Sequence, residues 1–186
     1  MTEKSMRERM LAGELYLADD PQLAADSTRA QSLTHRINHA DPTDGATLRA
    51  LFTELLGEYG EGAEIRPPFR CDYGYQTFFG AGSFANFGLI ALDVARITIG
   101  RDVQIATGVH LLTATHPLEP GPRRAGWESG APITIGDNVW LGGGVIVCPG
   151  VSIGADTVVG AGSVVTADLP AGVVAVGSPA RVTRTL

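Results

Sequence analysis

The stretch ITIGDNVWLGGGVIVCPGVSIGADTVVGAGSVVTAD, residues 133–168, carries an aliphatic side chain at every sixth position: Ile135, Leu141, Val147, Ile153, Val159 and Val165. The residue after each is usually small (Gly136, Gly142, Cys148, Gly154, Gly160, Thr166), and a compact side chain falls four residues after each of the first five (Val139, Val145, Val151, Thr157, Ser163). A period of six matches neither the 3.6-residue turn of a helix nor the two-residue alternation of a strand. It matches a parallel β-helix of hexapeptides, in which each beat forms one short flat side and three sides make a coil. Adjacent coils then stack at the ~4.8 Å spacing of neighbouring strands. The same beat is legible upstream at Ile99, Ile105 and Leu111.

Bulk properties narrow the function. The 186 residues suffice for one domain and an appendage, and 44% hydrophobic content supports a core. A formal charge of −6 leaves no broad basic field to neutralise phosphates, so a nucleic-acid partner is not expected. Cys71 and Cys148 are too few for a structural zinc site, and Cys148 sits at a repeat position as a small hydrophobe. Charged residues Glu3, Lys4, Arg7, Glu8 and Arg9 without a following apolar run do not read as a signal peptide, and no run approaches the ~18 apolar residues of a membrane span. The expectation is a cytoplasmic protein with no membrane partner.

Residues 1–62 read as a helical segment. Met6 and Met10 lie one turn apart before Gly13, and Pro21 opens a second helix through Leu23, Ala30, Leu33 and Ile37. Thr43 or Asp44 caps a third, whose stripe is Leu48, Leu51, Phe52, Leu55 and Leu56, with Gly57 as its C-terminal cap. Residues 63–186 read as the β-helix with a short tail. The beat breaks at PLEPGPRRAGWE, residues 117–128, which reads as a loop thrown out of the solenoid, the kind of place where function concentrates. With those twelve residues excised, the residues before each beat stack outward in three columns: His110, Trp140 and Val158; His116, Ile146 and Val164; Gln104, Thr134 and Ser152. Two outward faces are then apolar, which suits a closed homo-oligomeric ring, most simply a trimer.

Four histidines invite chemistry. His35 and His39 have a one-turn helical spacing that can hold a metal, but no third ligand accompanies them, and a solvated or capping role is the better reading. His110 lies mid-coil on an outward face. His116 ends the last regular strand before the loop, Pro117 holds it extended, and an imidazole there is placed to act as a general base. Asn86, an amide between Phe84 and Phe87, must find partners and so orients either backbone or substrate. Glu128 closes the loop opposite His116 and can hold the imidazole's tautomer, or be a solvated loop charge.

The segments FRCDYGYQTFFG, FANFG, TATHPLEP, PITIGDNVWLGGGVIVCPGVSIG, GAGSVVTADLP and GSPAR together resemble the maltose O-acetyltransferase group of hexapeptide-repeat transferases, with galactoside and nodulation-type sugar acetyltransferases as near relatives. MLAGELYLADDPQL resembles that group's N-terminal helical segment. The resemblance implies a mainly β fold, a left-handed parallel β-helix, assembled as a homotrimer with active sites between subunits. It implies acetyl transfer from acetyl-CoA to a sugar hydroxyl with no metal. Residue by residue, His116 becomes the general base, Asn86 positions the acceptor or the developing oxyanion, and Glu128 supports the histidine. Asp19, Asp72 and Asp93 fall near the acceptor pocket. Trp140 and Gly143 flank the pantetheine arm, Ala161, Thr166 and Ala167 line the CoA track, and Arg181 and Arg184 meet its phosphates. Ala167 stands where relatives often carry Lys, which predicts weaker phosphate affinity or compensation by Arg184.

Three rival readings remain. A xenobiotic O-acetyltransferase shares scaffold and chemistry and differs in acceptor. A γ-carbonic-anhydrase-like hydratase needs three His ligands for zinc, and only His110 and His116 lie in the solenoid. A non-catalytic β-helix scaffold would lack acetyl-CoA affinity.

Overall fold

The computed structural model describes residues 4–186; residues 1–3 of the expected helical segment lie outside it. From Glu58 onward the chain winds into a three-sided prism of parallel strands. Face I stacks Glu58–Tyr59, Thr77–Phe79, Ile97–Ile99, Ile133–Ile135 and Ser152–Ile153. Face II stacks Glu64–Ile65, Phe84–Ala85, Gln104–Ile105, Trp140–Leu141, Val158–Val159 and the closing hairpin Val173–Gly177 with Ala180–Thr185. Face III stacks Phe69–Cys71, Leu89–Leu92, His110–Leu112, Ile146–Val147 and Val164–Val165. The first prism strand thus begins inside the segment read as helical.

The hexad aliphatics point inward. Ile135, Leu141, Val147, Val159 and Val165 are fully buried and Ile153 nearly so. Each such burial is worth about 1.5–3 kcal/mol, and the columns form one continuous core from the first coil to the last. Between faces II and III the turns of the second to fifth coils use a left-handed glycine, Gly88, Gly108, Gly144 and Gly162 stacked in register, because a β-carbon disfavours that conformation; the first coil turns through Pro67 and Pro68 instead. Between faces I and II the same task falls to Asp102, Asn138 and Asp156 as well as Gly62, Gly82 and Gly172.

The third edge, between faces III and I, is different. Paired residues on face I are Glu58, Phe78, Thr98, Thr134 and Ser152, so successive coils take 20, 20, 36 and 18 residues. Equivalent outward positions within a coil stay six apart (Thr98, Gln104, His110), so every extra residue is inserted at this one edge. The excursion in the third coil is therefore 18 residues long, not the twelve of 117–128. Ala114–Thr115 and Trp127–Gly130 pair antiparallel as its stem, and a short helix, Pro120–Arg124, sits at its tip. This corrects the outward columns in their upper member. Trp140 stacks on Gln104, Ile146 on His110 and Thr134 on Thr98. His116 belongs to no column. Face III nonetheless presents an outward row of Ile90, His110, Ile146 and Val164.

The three expected helices are present. Helix α1, Met6–Leu11, has Ser5 and Glu8 as a reciprocal capping box. Helix α2, Pro21–His39, is capped by Asp20, and helix α3, Gly45–Leu55, by Asp44. Gly57 is not a left-handed cap: the helix ends at extended Leu56, and a β-carbon at Gly57 would lie 2.4 Å from the Tyr75 carbonyl oxygen. Asn38 of α2 accepts from Phe69 N–H (2.8 Å) and donates to its carbonyl (2.9 Å), closing the open edge of the first coil as a strand would. His39 Nδ1 meets the His35 carbonyl at 2.8 Å near the end of α2, so this pair takes the capping role.

Candidate active site

The widened edge is where the chemistry gathers. Its first two turns are held open by one carboxylate. Asp93 is fully buried. Its Oδ1 accepts from the N–H groups of Asp72 (3.2 Å) and Tyr73 (2.9 Å), and its Oδ2 from Gln76 N–H and the Thr77 hydroxyl (3.2 Å each). Thr113 ties the next layer, donating to the Leu92 carbonyl (2.6 Å) and accepting from Ala95 N–H (3.0 Å). The three widened turns are thus bolted to one another. Asp93, expected beside an acceptor, has no surface to offer one. It is a positioning group, and the residue it presents is Asp72.

Asp72 is half-buried at this edge. Burial first, then the neighbouring Asp93 and Glu128 charges, push its carboxyl up to about 6. The same surroundings push the Tyr73 phenol up to about 12. Burial also pushes Asp93 up, opposed by the hydrogen bonds it accepts. Among the described residues no ion pair neutralises Asp72, Asp93 or Glu128.

The excursion brings His116 to this edge. Ala114 faces Gly130 and Thr115 faces Ser129, where the paired stem ends, so His116 follows directly after one strand of the stem and Glu128 stands just before Ser129 on the other. Directly opposed residues in an antiparallel pair project to the same side. On the far side of Glu128 lies a third strand, Tyr16–Leu17, with Tyr16 opposite Glu128 and Leu17 opposite Trp127. The Tyr16 hydroxyl donates to Glu128 Oε2 at 3.1 Å. His116 is exposed, and among the described residues no hydrogen bond joins it to Glu128. Tyr16 is a further candidate that sequence reasoning missed: its partner lies 112 positions away, and only the strand pairing reveals it.

Other expected residues lie elsewhere. Asn86 sits on the glycine edge between faces II and III, half-buried, with Oδ1 accepting from Phe87 N–H at 2.8 Å. That commitment leaves its amide N–H groups as outward donors. Gly143 and Ala161 stack on the same edge, joined by Gly162 N–H to the Gly143 carbonyl at 2.8 Å. A β-carbon at Gly142 would come within 2.5 Å of Ala161 N, so the coils meet here at backbone contact. Trp140 stands 55% exposed on face II, a large aromatic left uncovered by its own chain. Arg181 and Arg184 are exposed on the last strand of that face. Thr166 and Ala167 are exposed on the same edge as His116, two coils further on. Asp19 is exposed in the turn after Tyr16–Leu17. One chain therefore distributes these residues over two edges and a face. The His116 edge is the prism edge opposite face II, which carries Trp140.

Comparison with known proteins agrees with this architecture. The maltose acetyltransferase hexapeptide capping motif matches residues 9–60, and the bacterial transferase hexapeptide motif, six repeats, matches residues 132–167. Nodulation protein L of Rhizobium meliloti (strain 1021) is 48% identical over 179 residues, covering 96% of this chain and 98% of that protein. The crystal structure of a maltose O-acetyltransferase from Clostridium difficile 630 superposes with a TM-score of 0.97 at 40% identity, covering 100% of this chain and 99% of that one. A galactoside acetyltransferase in complex with coenzyme A superposes with a TM-score of 0.93 at 38% identity, covering 98% and 92%. With both terminal segment and solenoid matched along their length, the chain belongs to the maltose and galactoside O-acetyltransferase family of hexapeptide-repeat proteins and is an acetyl-CoA-dependent acetyltransferase of that type.

Proposed function

We propose that the chain transfers the acetyl group of acetyl-CoA to a hydroxyl of a sugar, with His116 as general base, in a seam between two copies of itself. The observation that carries the seam is the division of the site residues. Face III runs from the glycine edge, with Asn86, Gly143 and Ala161, to the widened edge, with Asp72, His116, Glu128, Thr166 and Ala167. A three-fold ring with face III toward its axis covers the row Ile90, Ile146 and Val164. It also sets the widened edge of each copy against the glycine edge of the next. Both halves of the site then meet, as they cannot within one chain.

In that seam the neutral imidazole of His116 takes the proton of the acceptor hydroxyl as the oxygen attacks the thioester carbonyl. The new C–O bond gives a tetrahedral oxyanion, received by the Asn86 amide or a backbone N–H. The C–S bond then breaks, and the departing thiolate recovers the proton from the imidazolium. General-base action contributes about 10²–10⁴-fold and one oxyanion donor about 10²–10³-fold. Asp72 and its acidic surroundings supply hydrogen-bond acceptors for the other hydroxyls of a sugar. A xenobiotic alcohol would be acetylated by the same steps, and an acceptor panel with thiol-release detection separates the two.

The test uses two defective variants. His116→Ala is expected to lose about 10²–10⁴-fold in kcat while still binding CoA, and Asn86→Ala to lose turnover by a smaller factor. When the two are co-expressed and mixed oligomers isolated, activity returns, because an intact widened edge then meets an intact glycine edge. Wild-type turnover in His116→Ala would end the base assignment. Mixed oligomers as inactive as their parents would end the shared seam.

A further inference from the structure

We infer that Tyr16, contributed by the N-terminal segment, is a positioning residue for the transfer reaction: it fixes the carboxylate of Glu128 against His116. The inference rests on His116 acting as the base. Tyr16 is 1% exposed, its ring packed with Met10, Leu23, Tyr73 and Val94. A phenol so deeply buried needs a partner for its O–H, and Glu128 Oε2 at 3.1 Å is that partner. The three-stranded sheet pairs Tyr16 with Glu128, whose side chains therefore share one side, and pairs the next residue, Ser129, with Thr115, which leads directly into His116. Glu128 is thereby flanked by a buried donor on one side and an exposed imidazole on the other.

A glutamate at the stem of an exposed hairpin has free torsions and, left alone, presents its carboxylate to solvent in many orientations. One oxygen held by Tyr16 leaves the other to face the imidazole ring. With the acceptor bound, that oxygen would accept the ring N–H and so set which nitrogen is available to the acceptor hydroxyl. The hold is reinforced by the strand pairing of Leu17 with Trp127 and by Arg9, whose guanidinium lies 5.6 Å from the Trp127 ring centroid. The helical appendage therefore does more than close one end of the prism: it reaches over the widened edge and orders the residue beside the base.

The test compares Tyr16→Phe, Glu128→Gln, their double variant and His116→Ala, all as full-length oligomers. Tyr16→Phe keeps the packed ring and deletes only the hydroxyl. It is expected to lower kcat about tenfold, with the KM for acetyl-CoA and the oligomer mass unchanged. In the Glu128→Gln background the same change is expected to cost less than twofold, because the group it acts through is already altered. A tenfold loss in both backgrounds would show that Tyr16 acts independently of Glu128 and would overturn the inference. So would wild-type kcat in Tyr16→Phe while His116→Ala is inactive, and that pair of results leaves the base assignment standing. Full activity in His116→Ala would remove the base assignment and this inference with it.

Discussion

The two edges that bound face III are built from the same six-residue beat and do opposite things with it. On the glycine edge each coil turns in the same few residues, with Gly88, Gly108, Gly144 and Gly162 all left-handed and stacked in register. On the widened edge the turns grow by two residues in the first two coils and by 18 in the third, before tightening again. The tight edge offers backbone and small side chains, suited to lying alongside a long thin substrate. The widened edge offers two half-buried carboxylates, Asp72 and Glu128, and an exposed imidazole, backed by the buried Asp93, Tyr16 and Tyr73. In a solenoid whose repeat leaves no room for irregular side chains, chemistry is gained where the repeat is interrupted, and the uninterrupted edge keeps the interruption in register.

The largest effect expected from this contrast is on stability. Gly142→Ala drives a β-carbon to 2.5 Å from Ala161 N, where backbone meets backbone and nothing can yield cheaply. The loss should reach about 3 kcal/mol. Gly144→Ala, two residues on, meets nothing within 4 Å and pays only for its left-handed φ of 67°, about 1 kcal/mol. Denaturant unfolding of the two variants measures the difference. Equal losses would mean that the coils can slide apart at this edge, and the account of it as a rigid register would fail.

A smaller effect probes the widened edge. The Asp72 carboxyl titrates at about 6 in the folded chain against an ordinary 3.8. Between those values the native state binds more protons than the unfolded state, so this group's contribution to stability is full at low pH and falls as pH rises through about 6. Asp72→Asn removes the charge that must otherwise be buried beside Asp93 and Glu128. The variant should match wild type near pH 3.5 and gain on it by about 1–3 kcal/mol at pH 7. Unfolding curves at several pH values read this directly. A stability difference that does not change with pH would show that solvent and counterions already screen the carboxylates at this corner. The same substitution is expected to cost activity, which separates a group kept for function from one kept for stability.

The contrast also explains which parts of the molecule were legible in the sequence. The beat from Ile135 to Val165 fixes three-sided coiling because each of those side chains is inward and none has an alternative place in a strand or helix. Helix starts were legible at Pro21 and Asp44 because capping is local. The excursion's length was not. Thr113–Thr115 and Ser129–Ala131 continue the turn-and-strand composition of the solenoid, yet they pair with each other across the stem, and pairing is not local. Excising twelve residues therefore displaced the upper coil by one face and put His110 above Trp140. Asp93 misled for a related reason. The resemblance puts it near the acceptor, and only the neighbouring coil shows that backbone donors surround it. His116, Asn86 and Glu128 are candidates that the sequence supplies one at a time. Their separation onto two edges follows from counting hexads around the prism, where Asn86 follows a face II strand and His116 a face III strand.

The finest test concerns the place where the widened edge tightens again. In the fifth coil the chain passes from Val165 to Leu169 in four steps, leaving Thr166 and Ala167 exposed on the same edge as His116. The track for CoA proposed here runs along the seam past this point. Arg181 and Arg184 are exposed on the closing strand of face II, and under the proposed seam they would approach the track from the neighbouring copy; Ala167 itself carries no charge. Ala167→Lys puts an ammonium on an exposed turn with no close carboxylate required to move. A solvent-exposed charge facing a phosphate is worth about 0.2–1 kcal/mol, so the KM for acetyl-CoA should fall by about 1.4- to fivefold at low salt. The gain should fade as ionic strength shortens the ~10 Å screening length of 0.1 M salt, and kcat should hold steady, because the phosphates are remote from the reacting carbonyl. The paired variant Arg184→Ala should raise KM by a similar factor, and Ala167→Lys should restore it if both cations serve one phosphate group across the seam. If the lysine leaves KM untouched at every salt concentration, the fifth-coil turn does not face the phosphates. The tightened stretch of the edge would then belong to subunit packing, and only its widened stretch to the site.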